Sequence, residues 1–388
     1  MSDPVALTSL TPGEAALLDP VRPSVARRLL PLGVLLAALI IIPGLWGMGI
    51  IGITPVNQLG RFACFAIVAL GIDIIWGYAG ILSLCQAMFF CIGGYAMGMH
   101  LALHGPLDGN GIPRCLFVVT SEVSGFNLPW FWQPFHGLIP ALVLGLVVPG
   151  LVGFVFGYLA FRSRVRGVYF SIITQAATVM AWLVFCRNEV RLCGTNGLTN
   201  FVTLAGFDLR SDRVRVGLYM ISVAMLGVSY LVCRYLVTSR AGRILLAVRD
   251  NESRLRFSGY DPAAFKTFAF TLAAILAGLG GMLYVPQNGI ITPAKMVATE
   301  SITMVVWVAV GGRGTLSGAI LGAIVVSLLS SQLTTTWPSA WPFVLGGLFI
   351  ILVLFCPEGL LGLWQKWMAK RTKPAAPAVL EPKAQGLA

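Results

Sequence analysis

The sequence is a series of apolar runs, most of them long enough to cross a lipid bilayer. The first covers residues 29–50, and the others lie near residues 55–78, 81–103, 138–161, 167–187, 216–237, 264–286, 300–312, 314–334 and 340–356. A helix needs about 20 apolar residues to span the hydrocarbon core. In a chain of 388 residues that is 57% apolar and 11% charged, this pattern predicts an all-α polytopic integral membrane protein with about ten transmembrane helices.

Glycines interrupt the end of this series. The run at 300–312 is short for a full span, and Gly311, Gly312 and Gly314 surround its end. Membranes tolerate interrupted helices only where protein or a cavity covers the freed backbone, so we expect a broken or re-entrant helix here. The pattern G-x-x-G-x-L-S occurs both at 311–317 and at 77–83, which indicates either an internal repeat or two similar helix ends.

The basic residues set the expected orientation. The net charge is +12, and most of the 27 Lys and Arg residues lie in the two tails, the 162–166 turn and the 234–266 loop. Cytoplasmic segments of membrane proteins are enriched in Lys and Arg. Both ends are therefore predicted to be cytoplasmic, with an N-terminal tail over 1–28, a transmembrane domain over 29–364 and a disordered tail over 365–388.

The sequence lacks the motifs of several common enzymes. It contains no G-x-x-x-x-G-K-[ST] phosphate loop, no H-E-x-x-H and no G-x-S-x-G. Asp73 is the clearest ionisable residue within a span, whereas an ion-coupled carrier would usually show several acidic residues there. We therefore expect a protein without enzymatic activity, metal or cofactor. Its basic residues do not alternate with aromatic ones, so nucleic-acid binding is not expected either.

Residues 241–266 form a polar loop between two apolar runs. At about 100° per residue, Ile244, Leu245, Val248 and Leu255 share one face of a helix, which Gly259 would end. Such a helix could rest on the lipid interface or dock on a cytoplasmic protein. Glu252 falls within the apolar arc, and an acidic group there favours a protein partner over anionic lipid.

Seven segments carry a resemblance to a known family. They read ALGIDIIWGYAGILSLCQAMFF (69–90), RGVYFSIITQA (166–176), GTNGLTN (194–200), the 241–266 loop, LAGLGGMLYVPQNGIITP (276–293), WVAVGGRGTLSGAILGA (307–323) and FCPEGLLGL (355–363). In this order they resemble the permease subunits of ABC importers for branched-chain amino acids, and most of all the urea-transporter branch. The resemblance extends from about residue 60 to residue 364.

The resemblance implies a set of partners in a bacterial inner membrane. These are a second homologous permease subunit, two cytoplasmic ATPase subunits and an external solute-binding protein. It also implies that the 241–266 loop is the coupling loop that docks on an ATPase. The coupling residues are then expected to be Gly242, Arg243, Ile244, Leu245, Val248, Arg249, Glu252, Leu255 and Gly259.

The predicted substrate is urea or a related short amide. Gln86, where most amino-acid members are expected to have His, favours urea, as do VPQNGIITP and WVAVGGRGTL. Urea needs hydrogen-bonding groups rather than fixed charge along its path, because desolvating it without new partners costs several kcal/mol. The path candidates are Tyr78, Ser83, Gln86, Tyr169, Thr174, Gln175, Gln287, Asn288 and Trp307. Each could instead hold helices together.

Two alternatives to urea transport stay open from the sequence. Within the same class, the chain could be a permease for branched-chain or other amino acids. From another class, it could be a channel or ion-coupled carrier that acts without an ATPase. The polar 241–266 loop argues against the second alternative, since a channel has no need of a docking helix.

Overall fold

A computed structural model describes residues 25–107, 113, 116, 128–163, 165, 167–337, 343–347, 350 and 359–362. Ten α-helices account for most of these residues. They are α1 (Val25–Gly47), α2 (Ile53–Ile72), α3 (Gln86–Leu103), α4 (Leu138–Arg162), α5 (Val168–Cys186), α6 (Asp212–Thr238), α7 (Arg240–Phe257), α8 (Pro262–Asn288), α9 (Ala298–Gly311) and α10 (Leu316–Thr336). The predicted all-α class is confirmed.

Seven of the described helices are long and apolar enough to cross a membrane. Each of the first nine apolar runs corresponds to a helix. Two of these helices have apolar parts that are shorter than the seven candidate spans, namely residues 31–47 of α1 and the whole of α9. The tenth run, at 340–356, lies largely outside the described residues. With 14 residues, α9 is roughly 21 Å long at 1.5 Å per residue, which confirms the expected short helix. The number of described spans is therefore lower than the predicted ten.

Helix α3 forms the centre of the molecule, with 94% of its residues buried by the rest of the protein. It packs closely against α8 because both helices carry glycines at their contact. A methyl group at Gly93 would lie only 2.5 Å from the Cα of Gly278. Small residues of this kind let the backbones of membrane helices approach each other. Helices α2 and α4 also pack against α8.

Helix α2 ends in a π-helical turn over Asp73–Tyr78, and residues 79–85 then lead to α3 without regular helix. Gly80 in this connection has a φ of +74°, and Gly314 in the connection from α9 to α10 has a φ of +80°. Both are left-handed conformations that glycine adopts without strain. The two glycine-rich connections that share the G-x-x-G-x-L-S pattern thus both interrupt a helix.

Helices α4 and α5 lie at the periphery. Only 17% of the most apolar part of α5 is buried by the rest of the chain. At one end of the molecule, Leu198–Thr199 (β1) pairs antiparallel with Ile290–Ile291 (β4), and Thr203–Leu204 (β2) pairs with Phe207–Asp208 (β3). The β1–β4 pair joins the connection that follows α5 to the connection that follows α8, whereas β2 and β3 form a hairpin within the first of these connections.

Candidate functional site

The structure separates the nine predicted path residues into two groups. One group lies at the junction of residues 79–86 with α5 and consists of Ser83, Gln86, Thr174 and Gln175. The second lies at α8 and α9 and consists of Gln287, Asn288 and Trp307. The two remaining residues lie apart from both groups. Tyr169 is 75% exposed on α5, and Tyr78 is partly buried at the end of the π-helical turn.

In the first group, hydrogen bonds fasten the irregular 79–85 segment to α5. The Oγ1 atom of Thr174 accepts a hydrogen bond from the Leu84 amide at 3.1 Å, and Thr178 Oγ1 donates to the Leu84 carbonyl at 3.0 Å. Gln175 and Leu84 also line an open, mainly apolar groove of about 1030 Å³ along α5. Thr174 is thus committed to structure, while Gln175 borders a surface that the described chain does not cover.

Ser83 and Gln86 are both buried beside this junction. Ser83 Oγ lies 3.2 Å from the Sγ atom of Cys85. The amide group of Gln86 has no hydrogen-bond partner among the described residues, although the residue is only 1% exposed. An unpaired buried amide is unusual because its desolvation is not compensated. The Gln86 amide therefore takes no part in the hydrogen bonds that fasten this junction.

In the second group, Gln287 holds three helices together. Its Nε2 atom donates to Ser222 Oγ on α6 at 2.7 Å and lies 3.6 Å from Cys64 Sγ on α2. The same atom also bonds the Leu283 carbonyl one turn earlier in α8, at 2.9 Å. These contacts assign the Nε2 atom to helix packing, as the alternative interpretation of the sequence had it.

Trp307 lines a cavity of about 750 Å³ between α2, α8, α9 and α10, and Asn288 contacts one of the other lining residues. The Oδ1 atom of Asn288 accepts a hydrogen bond at 3.1 Å from Nη1 of Arg61, which lines the cavity. Lys295 and Glu300 also line it and form an ion pair with Nζ and Oε1 2.8 Å apart. The cavity therefore contains charged groups of both signs.

Lys295 lies in the connection between α8 and α9. Its partial burial acts to lower the pKa of the amine, but the facing Glu300 carboxylate outweighs this effect, so the pKa lies above its ordinary value. Lys295 is therefore positively charged at neutral pH. The sequence analysis missed Lys295, Glu300 and Arg61, and the available signal was the presence of charged residues within or next to apolar runs.

The two glycine-rich connections meet on the side of the molecule where α7 lies. Asp73 Oδ1 accepts a hydrogen bond from the Gly314 amide at 2.7 Å, and a methyl group at Gly77 would lie 2.6 Å from that amide nitrogen. From α7, Arg249 Nη1 donates to the Gly77 carbonyl at 2.7 Å. Arg249 thus links α7 directly to the point at which the two connections touch.

Helix α7 occupies the predicted polar loop and ends near Gly259, as expected. Its apolar residues Leu245, Val248 and Leu255 are buried against the protein's own membrane helices. Asn251 has non-helical dihedral angles and divides α7 into two shorter helices. The outward side presents Phe257, which is 92% exposed. The sequence analysis missed this residue because it lies outside the apolar arc.

Glu252 has ionic partners within the chain. The sequence analysis took its carboxylate as favouring a protein partner over anionic lipid. In the structure, Glu252 is paired within the chain with Arg256 and with Lys266 of α8, both at 2.9 Å. Glu252 therefore joins α7 to α8, and its position in the apolar arc needs no external partner to explain it.

Residues 54–354 match the family described as "Branched-chain amino acid transport system / permease component". This match covers more than three quarters of the chain. The chain belongs to this permease family. The permease is accordingly a multi-pass protein of the bacterial inner membrane, as predicted, and the family consists of transport subunits rather than enzymes.

Curated relatives have the same description. The permease is 26% identical over 320 residues to the high-affinity branched-chain amino acid transport system permease protein LivM of Escherichia coli, covering 76% of this chain and 67% of the relative. It is 25% identical to LivM of Salmonella typhimurium with the same coverage. The permease protein BraD of Pseudomonas aeruginosa is 22% identical, with 79% of this chain and 94% of the relative covered. No solved structure matches at the same level of significance.

Proposed function

We propose that the permease moves branched-chain amino acids inward across the membrane, driven by ATP hydrolysis in separate cytoplasmic subunits. The family match over residues 54–354 carries this proposal, and the names of the relatives supply the substrate class. These relatives give no support to urea, so the alternative that the sequence left open fits better. A second permease, two ATPase subunits and an external binding protein complete the proposed assembly.

Helix α7 is the proposed docking element for an ATPase. Its apolar side is held by the membrane helices, while Phe257 projects outward with 92% of its surface exposed. Aromatic residues that fill a partner's pocket are the groups that most often dominate protein interfaces. Because Arg249 bonds the Gly77 carbonyl, displacement of α7 would act directly on the two glycine-rich connections. A movement of the ATPase would in this way be transmitted through α7 to the transport path.

The open groove along α5 supports a second permease subunit. Its lining includes Ile172, Met180 and Leu183, together with Gln175 and Arg187. A groove that combines a long apolar surface with polar groups suits a protein neighbour, because the polar groups would be unpaired against lipid. Gln175 would then lie at the boundary between the two permeases, close to a path formed by both.

The experiment is to reconstitute the permease with its partner subunits and measure ATP-dependent uptake of leucine and of urea. We expect leucine uptake by the wild type. Phe257→Ala should reduce ATPase retention in a pull-down about tenfold, and uptake by the same factor. A tenfold change corresponds to a loss of roughly 1.4 kcal/mol of binding free energy. Tyr235→Ala, at an aromatic residue that is 79% exposed on α6, is the matched control. Uptake of urea without leucine would contradict the proposed substrate. Full ATPase retention by Phe257→Ala would contradict the docking role of α7.

A further inference from the structure

The cavity between α2, α8, α9 and α10 brings opposite charges to the same small volume. Lys295 and Glu300 form its ion pair, and their side chains remain 34% and 32% exposed. Arg61 adds a second cation on the facing helix α2. Its volume of about 750 Å³ falls within the range of small-molecule sites, roughly 300–1,000 Å³. Charged groups at such positions in a membrane protein are expensive and usually functional.

Polar atoms in the cavity wall lack partners. Ser327 is 5% exposed, and its Oγ atom has no hydrogen-bond partner among the described residues. The Nε atom of Arg61 is also buried and unpaired within the described part of the chain. Both residues line the cavity. Buried polar groups normally have partners, so these two atoms indicate that a polar molecule occupies the cavity at some stage.

Another part of the cavity wall is aromatic and aliphatic. The ring of Phe65 lies 4.9 Å from that of Trp307 and 5.3 Å from that of Tyr284. Ile302 and Val306 of α9 also contribute to the lining. A ligand of this cavity would therefore meet both charged groups and an apolar surface.

We propose that the cavity binds the zwitterionic head group of an amino acid, with Glu300 taking the ammonium group and Lys295 and Arg61 the carboxylate. The aliphatic side chain then lies against Phe65 and Trp307. This inference rests on the proposed function and adds a site for its substrate within the permease itself. Urea, a small neutral molecule, would not use either charge and would leave the apolar wall empty.

The position of the cavity suits an early step of import. Arg61 precedes Gly77 by 16 residues in the sequence, which corresponds to roughly 24 Å of helix. The charged end of the cavity is therefore far from α7 and from the junction that Arg249 contacts, whereas Trp307 at the other end lies only seven residues before Gly314. A substrate released by an external binding protein would meet the cavity before it reached the glycine-rich connections.

The test measures binding to the permease pair in lipid nanodiscs without ATPase or binding protein. Tritiated L-leucine is the probe, and unlabelled leucine, 4-methylpentanoic acid, 3-methylbutylamine and urea are the competitors. We expect displacement by leucine alone, because only leucine carries both charges and the aliphatic group. Glu300→Gln and Lys295→Met should weaken leucine binding at least tenfold. Glu189→Gln, at an exposed carboxylate outside the cavity, should have no effect.

A double exchange distinguishes binding from a purely structural ion pair. Lys295→Glu combined with Glu300→Lys restores an ion pair and should restore the melting temperature, but Arg61 and the apolar wall stay in place. Leucine binding should therefore remain lost. Recovery of binding in the exchanged protein, unchanged binding in the single variants, or no displaceable binding to the wild type would overturn the inference. Leucine uptake by the complete importer is measured separately, and its absence in the wild type would contradict the proposed function instead.

Discussion

At the scale of the residue, the buried carboxylate of Asp73 stabilises the contact between the two glycine-rich connections. It is fully buried, and its Oδ1 atom accepts the Gly314 amide hydrogen bond at 2.7 Å. Its Oδ2 atom has no partner among the described residues. Asp73→Asn keeps an acceptor for Gly314, so it should retain stability and uptake. Asp73→Ala leaves a buried amide unpaired and should destabilise the permease by roughly 1–3 kcal/mol.

The measurement for Asp73 is thermal unfolding of the purified permease in detergent, together with uptake. We expect a lower melting temperature for Asp73→Ala only. If Asp73→Asn abolished uptake at wild-type stability, the negative charge itself would be required, and the structural interpretation would be wrong.

Residue identities predicted only part of the site. Asn288 and Trp307 were selected from the sequence as neutral groups at membrane depth; Trp307 lines the cavity, and Asn288 bonds its lining residue Arg61. Arg61, Lys295 and Glu300 were not selected, because a path for urea was expected to lack fixed charge. Their proximity depends on the packing of α2 against the connection between α8 and α9. No spacing in the sequence reports that packing.

At the scale of the element, the sequence predicted the position and length of α7 but not the interruption within it. The polar loop does form a helix, and its apolar face is buried. A continuous helix was assumed, whereas Asn251 interrupts it and its Oδ1 accepts a hydrogen bond from the Arg254 amide at 3.1 Å. Asparagine side chains cap helix starts in this way. Phe257 was missed for a different reason, because only the apolar arc was considered and Phe257 lies outside it.

The ion pairs of Glu252 predict a specific rescue. Glu252→Lys would place a cation beside Arg256 and Lys266, so α7 should loosen from α8. ATPase retention should fall tenfold or more, as expected for losing a charge-assisted bond of roughly 1.5–3 kcal/mol. Adding Lys266→Glu restores an opposite pair and should recover most of the retention. Pull-down of the ATPase and limited proteolysis of α7 are the measurements. Failure of the double exchange to recover retention would favour a basic partner on the ATPase.

At the scale of the whole molecule, helix positions followed from hydropathy but their contacts did not. Nine apolar runs correspond to nine helices because each run must satisfy its backbone within the membrane. The similarity of segments 77–83 and 311–317 suggested a repeat, yet the sequence could not show that the two segments touch. Their contact at Gly77 and Gly314 depends on how α2, α9 and α10 assemble.

The orientation of the whole molecule gives the last prediction. The two connections and α7 lie on one side, and Asn196 lies in the connection between α5 and α6. Charge asymmetry predicts that the α7 side is cytoplasmic, although five arginines at 187–215 oppose this rule. Ser258 and Asn196 are both exposed, so each is a suitable position for a single cysteine in a version whose native cysteines are replaced.

A membrane-impermeant thiol reagent applied to intact cells should label Asn196→Cys and leave Ser258→Cys unmodified until the cells are opened. Both variants must show uptake, so that labelling reports on a functional permease. The opposite labelling pattern would place α7 outside the cell. In that case α7 would have no access to a cytoplasmic ATPase, and the docking role of Phe257 would fail for a reason independent of its own substitution.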